Sequence, residues 1–466
     1  MVMQQATLLT DEQMREFITK GYLILKTDFS PEFHEQLMEK LNHVYEKEGN
    51  PGNNLLPRVP ELQKVFNHPA VHGALQSVLG SNYLMHTHRH GHFNASPQPG
   101  GWHKDSYWGY NRMRNHHPWW AMIMYFPQDT PVELGPTGVM PGTQNYETRV
   151  FKEDEMEKEA LASGEAGTFI LIHYDIWHRA TANTLGQPRY MLKFEFMRTE
   201  APIAPSWNNE NTNWVTPESA NDLLFQHEEM WEETWNWLSG KIGSLADTQQ
   251  NVNIEKLSET MMGEHEPDAI NATYQLAASG EDGITALVKA LHSDEPKISR
   301  LAAYGLSVAG EKAVPALLEA LESDQVQVIA YAAFALGELR GLASSAMPQL
   351  NELVDHPSSF VRNTAIDAIS MIQKPTEIAV AALIQGLKNE DVQTRFTAGL
   401  ALCRFGSEAD AAVSHLALAL EDENRYVRGH AVEALNYINT DAAKKILIDF
   451  LLTSRWCPIT NPASTF

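Results

Sequence analysis

Cysteine is nearly absent from this chain of 466 residues: only Cys403 and Cys457 are present, too far apart to form a CxxC unit. A disulfide framework is therefore not expected to hold the fold, and a reducing cytoplasm is the expected compartment. Positive charge is also scarce. Against 59 Asp and Glu stand 35 Lys and Arg, a net charge of −24, which argues against nucleic acid or an anionic membrane as partner. No apolar run approaches the ~18 residues that would suggest a membrane span. Residues 1–7 lack a basic stretch followed by an apolar one, so no signal peptide is expected. Tryptophan runs out early: ten of the 11 lie at or before Trp237, and only Trp456 follows.

That last asymmetry divides the chain. A chain of this length exceeds what one core supports, and an aromatic-rich first part gives way to a second part rich in regularly spaced Ala and Leu. The boundaries read as a catalytic-type domain over 1–238, a polar linker over 239–280 and a helical domain over 281–466. In the first part, Thr10 before an acidic turn predicts a helix, residues 21–25 a short strand, and Ser30-Pro31 the start of a second helix. Residues 60–79 predict further helix. From residue 83 the pattern changes to short apolar runs broken by Gly and Pro, at 83–85, 119–126, 168–173 and 190–196. These predict an antiparallel sandwich or barrel.

The chemistry concentrates in Gly101-Trp102-His103-Lys104-Asp105. On an extended segment His103 and Asp105 leave the same face, and an imidazole with a carboxylate can hold two positions of a divalent metal. An apolar run ending in His178 supplies a third ligand, and Arg189 follows eleven residues later. Two histidines and one carboxylate with open positions is the facial arrangement of non-haem Fe(II) oxygenases, and an arginine suits a bidentate grip on a carboxylate.

Taken in order, these residues resemble the phytanoyl-CoA dioxygenase family of Fe(II)/2-oxoglutarate oxygenases over roughly residues 8–200. The resemblance rests on Leu9-Thr10-Asp11-Glu12-Gln13 with Gly21-Tyr22-Leu23-Ile24-Leu25, on His103-Lys104-Asp105, and on the turn from Gly135 to Gln144. His178, Asn183 and Arg189 complete it. One departure is Gly167-Thr168, where many members have Gly-Asp. The resemblance implies a double-stranded β-helix, a jelly-roll with flanking helices, holding Fe(II) through His103, Asp105 and His178. It implies 2-oxoglutarate as cosubstrate, its distal carboxylate held by Arg189 with Asn183 nearby in the cofactor-binding set, and O2 as oxidant, with succinate and CO2 released. Halogenating relatives have a small residue at the position of Asp105, so hydroxylation, desaturation or ring formation is the outcome implied here.

Several residues have structural alternatives. His103 could be a hydrogen-bonded sandwich histidine, Asp105 a turn cap and Arg189 a surface ion-pair partner. His86, His88, His90 and His92 alternate along one expected strand and could line a pocket, hold a second metal, or merely share a face. Trp102, Tyr107, Trp108, Tyr110, Trp119, Trp120 and Trp177 could form a cage for a cationic or flat group, with core packing the alternative for most. Lys104 is expected to point away from the ligands into solvent. Arg112, Arg114, His116 and His117 fall on an expected loop and could recognise an acidic group.

The second part repeats with a period of 33: Leu336, Ile369, Leu402 and Leu435; Ala332, Ala365, Ala398 and Ala431; Arg362, Arg395 and Arg428. Each unit reads as two helices joined by an Asp-containing turn, about five copies in all, and resembles HEAT-like repeats stacked as an α-solenoid. The arginines are expected to bond the turns of adjacent repeats. The function these features imply is an Fe(II)/2-oxoglutarate dioxygenase of a small-molecule substrate, its repeats serving self-association or a protein partner. The alternatives are a hydroxylase of a protein or carrier-bound substrate recruited by the repeats, and a non-catalytic protein-binding scaffold.

Overall fold

The computed structural model describes residues 5–105, 113–247 and 252–454. Tyr107, Trp108, Tyr110 and Arg112, singled out above, lie outside the described residues, as does Trp456. The described residues fall into two compact units. One comprises 5–105, 114–242 and 263–271; the other comprises 113, 243–247, 252–262 and 272–454.

The first unit opens as its sequence dictates. Thr10 caps the helix Asp11–Lys20 through a complete capping box with Gln13, and Gly21, at φ 77°, turns the chain into the first strand. Among the described residues eight strands follow: β1 (Tyr22–Lys26), β2 (Tyr83–Asn94), β3 (Trp120–Tyr125), β4 (Thr137–Val139), β5 (Ala160–Leu161), β6 (Thr168–His173), β7 (His178–Ala180) and β8 (Arg189–Arg198). They form a five-stranded sheet in the order β1-β6-β3-β8-β2 and a three-stranded sheet in the order β5-β4-β7, antiparallel throughout. These two antiparallel sheets give the jelly-roll architecture that the sequence resemblance implies.

β3, β6 and β8 are buried along their whole length, because both faces of the larger sheet are covered. The outer residues of β8 meet the preceding helices: Phe194 lies 4.2 Å from Phe66 between ring centroids, and Tyr190 lies 5.1 Å from Tyr45. The helix expected over 60–79 is two helices, Leu62–Phe66 and Pro69–Leu79. The break falls at His68-Pro69, where proline lacks an N–H and its ring disfavours a helical predecessor.

The unit continues past β8. In the helix Glu228–Leu238, Trp231, Trp235 and Trp237 are buried. Trp237 stacks on His117 at 4.4 Å with 7° between planes, and His117 Nε2 lies 2.7 Å from a Glu233 carboxylate oxygen. Trp119 packs edge-on against the same Trp237. His116 and His117 are thus buried framework residues, and Arg114 pairs with Asp175 and Glu147. None of the three presents a free cation for an acidic substrate. Lys104 also departs from expectation. It does point away from the ligands, but into the protein, where Nζ donates to the Gln144 carbonyl at 3.1 Å. Covering by the chain between β4 and β5 is what sequence reading missed.

The stretch 239–280, read as a polar linker, holds two helices, Ile254–Met261 and Glu266–Ala277. Its local polarity is that of helix surfaces rather than of an open connection.

In the second unit five helix pairs succeed one another, Gly280–Leu291 with Pro296–Val308 first and Val413–Ala419 with Arg425–Ile438 last, before a terminal helix Asp441–Thr453. Ala332, Ala365, Ala398 and Ala431 are all fully buried. Small residues here let helices approach closely: a Cβ on Gly337 would lie 2.9 Å from Ala368 Cα. The helical stretch Val326–Asp355 is by length and mean hydropathy able to cross a membrane, though charged residues interrupt it, and 78% of its most apolar window is buried inside the repeats.

The arginine ladder forms. Arg395 donates to the carbonyls of Asn389 and Glu390 in its own turn, and its Nε donates to Asp422 Oδ2 of the next repeat at 2.8 Å. Arg362 does the same to His356, Pro357 and Asp391. Replacing Arg395 by Met strands two carbonyls and a carboxylate. We expect it to destabilise the repeats by about 2 kcal/mol, read as a lower midpoint for the helical transition in chemical unfolding.

Candidate active site

The site begins with one two-residue bridge. His103 N–H donates to the His178 carbonyl and His178 N–H to the His103 carbonyl, both at 3.0 Å. This antiparallel pairing sets the two imidazoles side by side, ring centroids 4.4 Å apart. Each ring is then oriented by a carbonyl two residues upstream. Nδ1 of His103 lies 2.9 Å from the Gly101 carbonyl oxygen and Nδ1 of His178 lies 3.0 Å from that of Ile176. With Nδ1 as donor, both Nε2 lone pairs are left for a ligand, the usual second partner of a metal-bound imidazole.

Asp105 closes the group. Its Oδ2 lies 3.5 Å from His178 Nε2, and the ligand atoms of His103, Asp105 and His178 all lie within 4.8 Å of one another. Among the described residues no other group of three His, Cys, Asp or Glu gathers in this way. Two imidazole nitrogens and one carboxylate gathered within that distance are a donor set that fits a divalent ion with bonds of ~2.1 Å. Burial pushes the Asp105 carboxyl upward, but the Lys193 ammonium and the neighbouring imidazoles hold it well below the usual carboxylate range. Burial lowers His178 to about 4, so that it stands neutral and ready to ligate at physiological pH.

Arg189, at the start of β8, is buried. Its Nε and Nη2 both donate to the Gly135 carbonyl, at 3.0 and 2.7 Å. No carboxylate pairs with it among the described residues. Burial lowers its pKa to about 10, which leaves it charged at neutral pH. Gly135 can serve as its seat because it sits at φ 73°, in a turn where a Cβ would lie 2.7 Å from the Thr181 carbonyl oxygen. Arg189 and the three clustered residues line one cavity of about 200 Å³, together with His92, Thr137 and Lys193 among others.

Asn183 does not reach that cavity. Its Nδ2 donates to the carbonyls of Asn94 and Gln187, and its Oδ1 accepts from Gly186 N–H. It ties the turn that leads into Arg189 rather than offering an amide to a cofactor. Lys193, by contrast, lies in the cavity wall and was overlooked. Its spacing carried the signal, since residue 193 shares a strand face with 189.

The four alternating histidines belong to β2, and a register shift between Met85 and Arg89 interrupts its pairing with β8. His86 and His88 both approach Glu195, at 3.3 and 3.9 Å, while His92 lines the cavity. They do not assemble a second metal cluster among the described residues. Of the aromatics, Trp102 packs against Phe151 and under the Arg179 guanidinium, and Trp120 meets His86 edge-on.

Buried neutral imidazoles make the unit acid-sensitive. Burial lowers His173 and His227 each to about 4. The unfolded chain therefore binds more protons between roughly pH 6.5 and 4. Their full contribution is present above about pH 6.5 and is lost as pH falls toward 4, on the order of 3 kcal/mol each. We expect the thermal midpoint to drop steeply across that window and the drop to be shallower in His227→Gln, measured by circular dichroism.

Residues 8–191 match the family model described as phytanoyl-CoA dioxygenase (PhyH), and residues 314–382 and 380–457 match HEAT repeats. No curated protein matches the chain. Among solved structures, it is similar to the non-heme alpha ketoglutarate dependent carbocyclase SnoK from nogalamycin biosynthesis. The identity is 19% over 42% of this chain and 88% of that one, with a TM-score of 0.35. EctD from S. alaskensis, with 2-oxoglutarate and 5-hydroxyectoine, is 14% identical over 47% and 88%, with a TM-score of 0.36. HygX from Streptomyces hygroscopicus, with nickel and 2-oxoglutarate bound, is 12% identical over 41% and 88%, with a TM-score of 0.34. Residues 8–191 are thus a phytanoyl-CoA dioxygenase (PhyH) domain by the family model they match, and HEAT repeats follow over residues 314–457.

Proposed function

We propose that this protein is an Fe(II)- and 2-oxoglutarate-dependent dioxygenase that hydroxylates a small organic metabolite, releasing succinate and CO2. Residues 1–238 carry the catalysis and 281–466 offer a surface for a protein partner or a second copy. His103, Asp105 and His178 hold the iron, and Arg189 takes the distal carboxylate of 2-oxoglutarate. The observation that carries this reading is the bridge between His103 and His178, which aims two fixed Nε2 atoms and the Asp105 carboxylate at one point.

When bound, iron and 2-oxoglutarate supply the oxidising power, through O2-dependent decarboxylation of the oxo acid. The chain's own part is to orient and to seal. Carbonyls 101 and 176 hold the imidazole rings against rotation. Asp105 would complete the ligand set with an ionised carboxylate beside the two imidazoles. Arg189 sets the cosubstrate's direction from a buried seat, where a charge-assisted pair is strong because water is excluded.

The test is succinate formation from 2-oxoglutarate by the purified full-length protein. Succinate that depends on both Fe(II) and O2 supports the reading. If it is absent, and anaerobic addition of Fe(II) and 2-oxoglutarate produces no charge-transfer absorbance, the reading fails.

A further inference from the structure

The inner face of β8 carries two cations. Arg189 and Lys193 are four residues apart and so project to the same side, their Cα atoms roughly 13 Å apart. Both line the cavity that holds the His103–Asp105–His178 cluster, and the only carboxylate among that cavity's lining residues is Asp105. Lys193 is deeply placed, its side chain 8% exposed, and its Nζ donates to Asp105 Oδ2 at 2.8 Å. No other carboxylate lies within ion-pair distance of it among the described residues.

The oxygen that Lys193 holds is the one 3.5 Å from His178 Nε2, the oxygen aimed into the cluster. On the metal reading given above, on which this inference rests, a divalent ion claims that oxygen. Asp105 is then shared between an ammonium and a dication. A buried ammonium beside a dication is poorly compensated unless another anion comes in.

We propose that Lys193 is a second anion anchor of this cavity, receiving a carboxylate that a bound ligand brings to the metal side while Arg189 holds the opposite end. Two ligands could bring it: 2-oxoglutarate, through the carboxylate next to its oxo group, or an acidic primary substrate. In either case Lys193 touches the ligand and restricts what the cavity accepts to molecules with an anionic group near the reacting centre.

The experiment compares full-length wild type, Lys193→Met, Lys193→Arg and Arg189→Met under anaerobic Fe(II). Calorimetry gives affinities for Fe(II), for 2-oxoglutarate, for 2-oxobutanoate, which keeps the metal-end carboxylate and lacks the distal one, and for acetate added to the Fe(II) protein both with and without 2-oxoglutarate. If 2-oxoglutarate is the source, Lys193→Met weakens 2-oxoglutarate and 2-oxobutanoate by the same factor, at least about 10-fold, Lys193→Arg recovers most of it, and Arg189→Met weakens 2-oxoglutarate alone. If the substrate is the source, both oxo acids bind Lys193→Met normally, and acetate binds the wild-type complex and Lys193→Arg but not Lys193→Met. A Lys193→Met protein that changes Fe(II) affinity alone, or nothing, overturns the proposal, because Lys193 is then only the counter-ion of Asp105. Failure of wild type to bind 2-oxoglutarate while acetate binding still depends on Lys193 sinks the cosubstrate reading and leaves the anchor standing. Loss of both removes both.

Discussion

His178→Ala is expected to abolish Fe(II)-dependent succinate formation, lowering it by at least about 1,000-fold. Altering an outer partner of a ligand already costs 10–100-fold in metal affinity or activity, and this change removes one of three ligands outright. His178 is also half of the bridge that positions His103, but that bridge is made by backbone atoms and survives the substitution. The imidazole lies at the cavity wall rather than in the apolar core, so the far-ultraviolet spectrum should match wild type. Iron binding, followed by anaerobic titration, should weaken in parallel. Wild-type turnover by a folded His178→Ala protein would remove the triad assignment.

Arg189→Met should raise the 2-oxoglutarate concentration needed for half-maximal turnover by about 100-fold, the effect of ~3 kcal/mol from hydrogen bonds to a charged group. The same variant should bind 2-oxobutanoate as wild type does, because that acid has no distal carboxylate to lose. This difference separates a ligand-holding arginine from a structural one. Arg189 also satisfies the Gly135 carbonyl, and removing that bond alone would lower stability and affect both acids alike. Equal loss for both acids would assign Arg189 to the turn at Gly135 rather than to the cosubstrate.

Much of the first unit is legible in its sequence. Thr10 forms the expected cap, and the apolar run 168–173 is β6 residue for residue. Period-two apolar patterning and helix caps are local, and local signals survive folding. Lys104, His116 and His117 were misread for the complementary reason. Polar residues on an expected loop look solvated until chain distant in sequence covers them, as Trp237 covers His117. Asn183 has the family's spacing, yet its side chain is consumed by its own turn. Spacing places a residue and leaves its hydrogen bonds undetermined.

Sequence alone brought out His103, Asp105, His178 and Arg189 as candidates, a change of composition along the chain and the 33-residue repeat, because ligand type, aromatic content and periodicity are properties of the chain's order. Tertiary structure decided how those members meet. His103 and His178, with 74 residues between them, meet in a single antiparallel bridge, and a strand face shared with Arg189 carries Lys193 to the Asp105 oxygen. Such contacts depend on which strands pair and in what register. Register is set by burial summed over a whole sheet, which no local stretch of sequence contains.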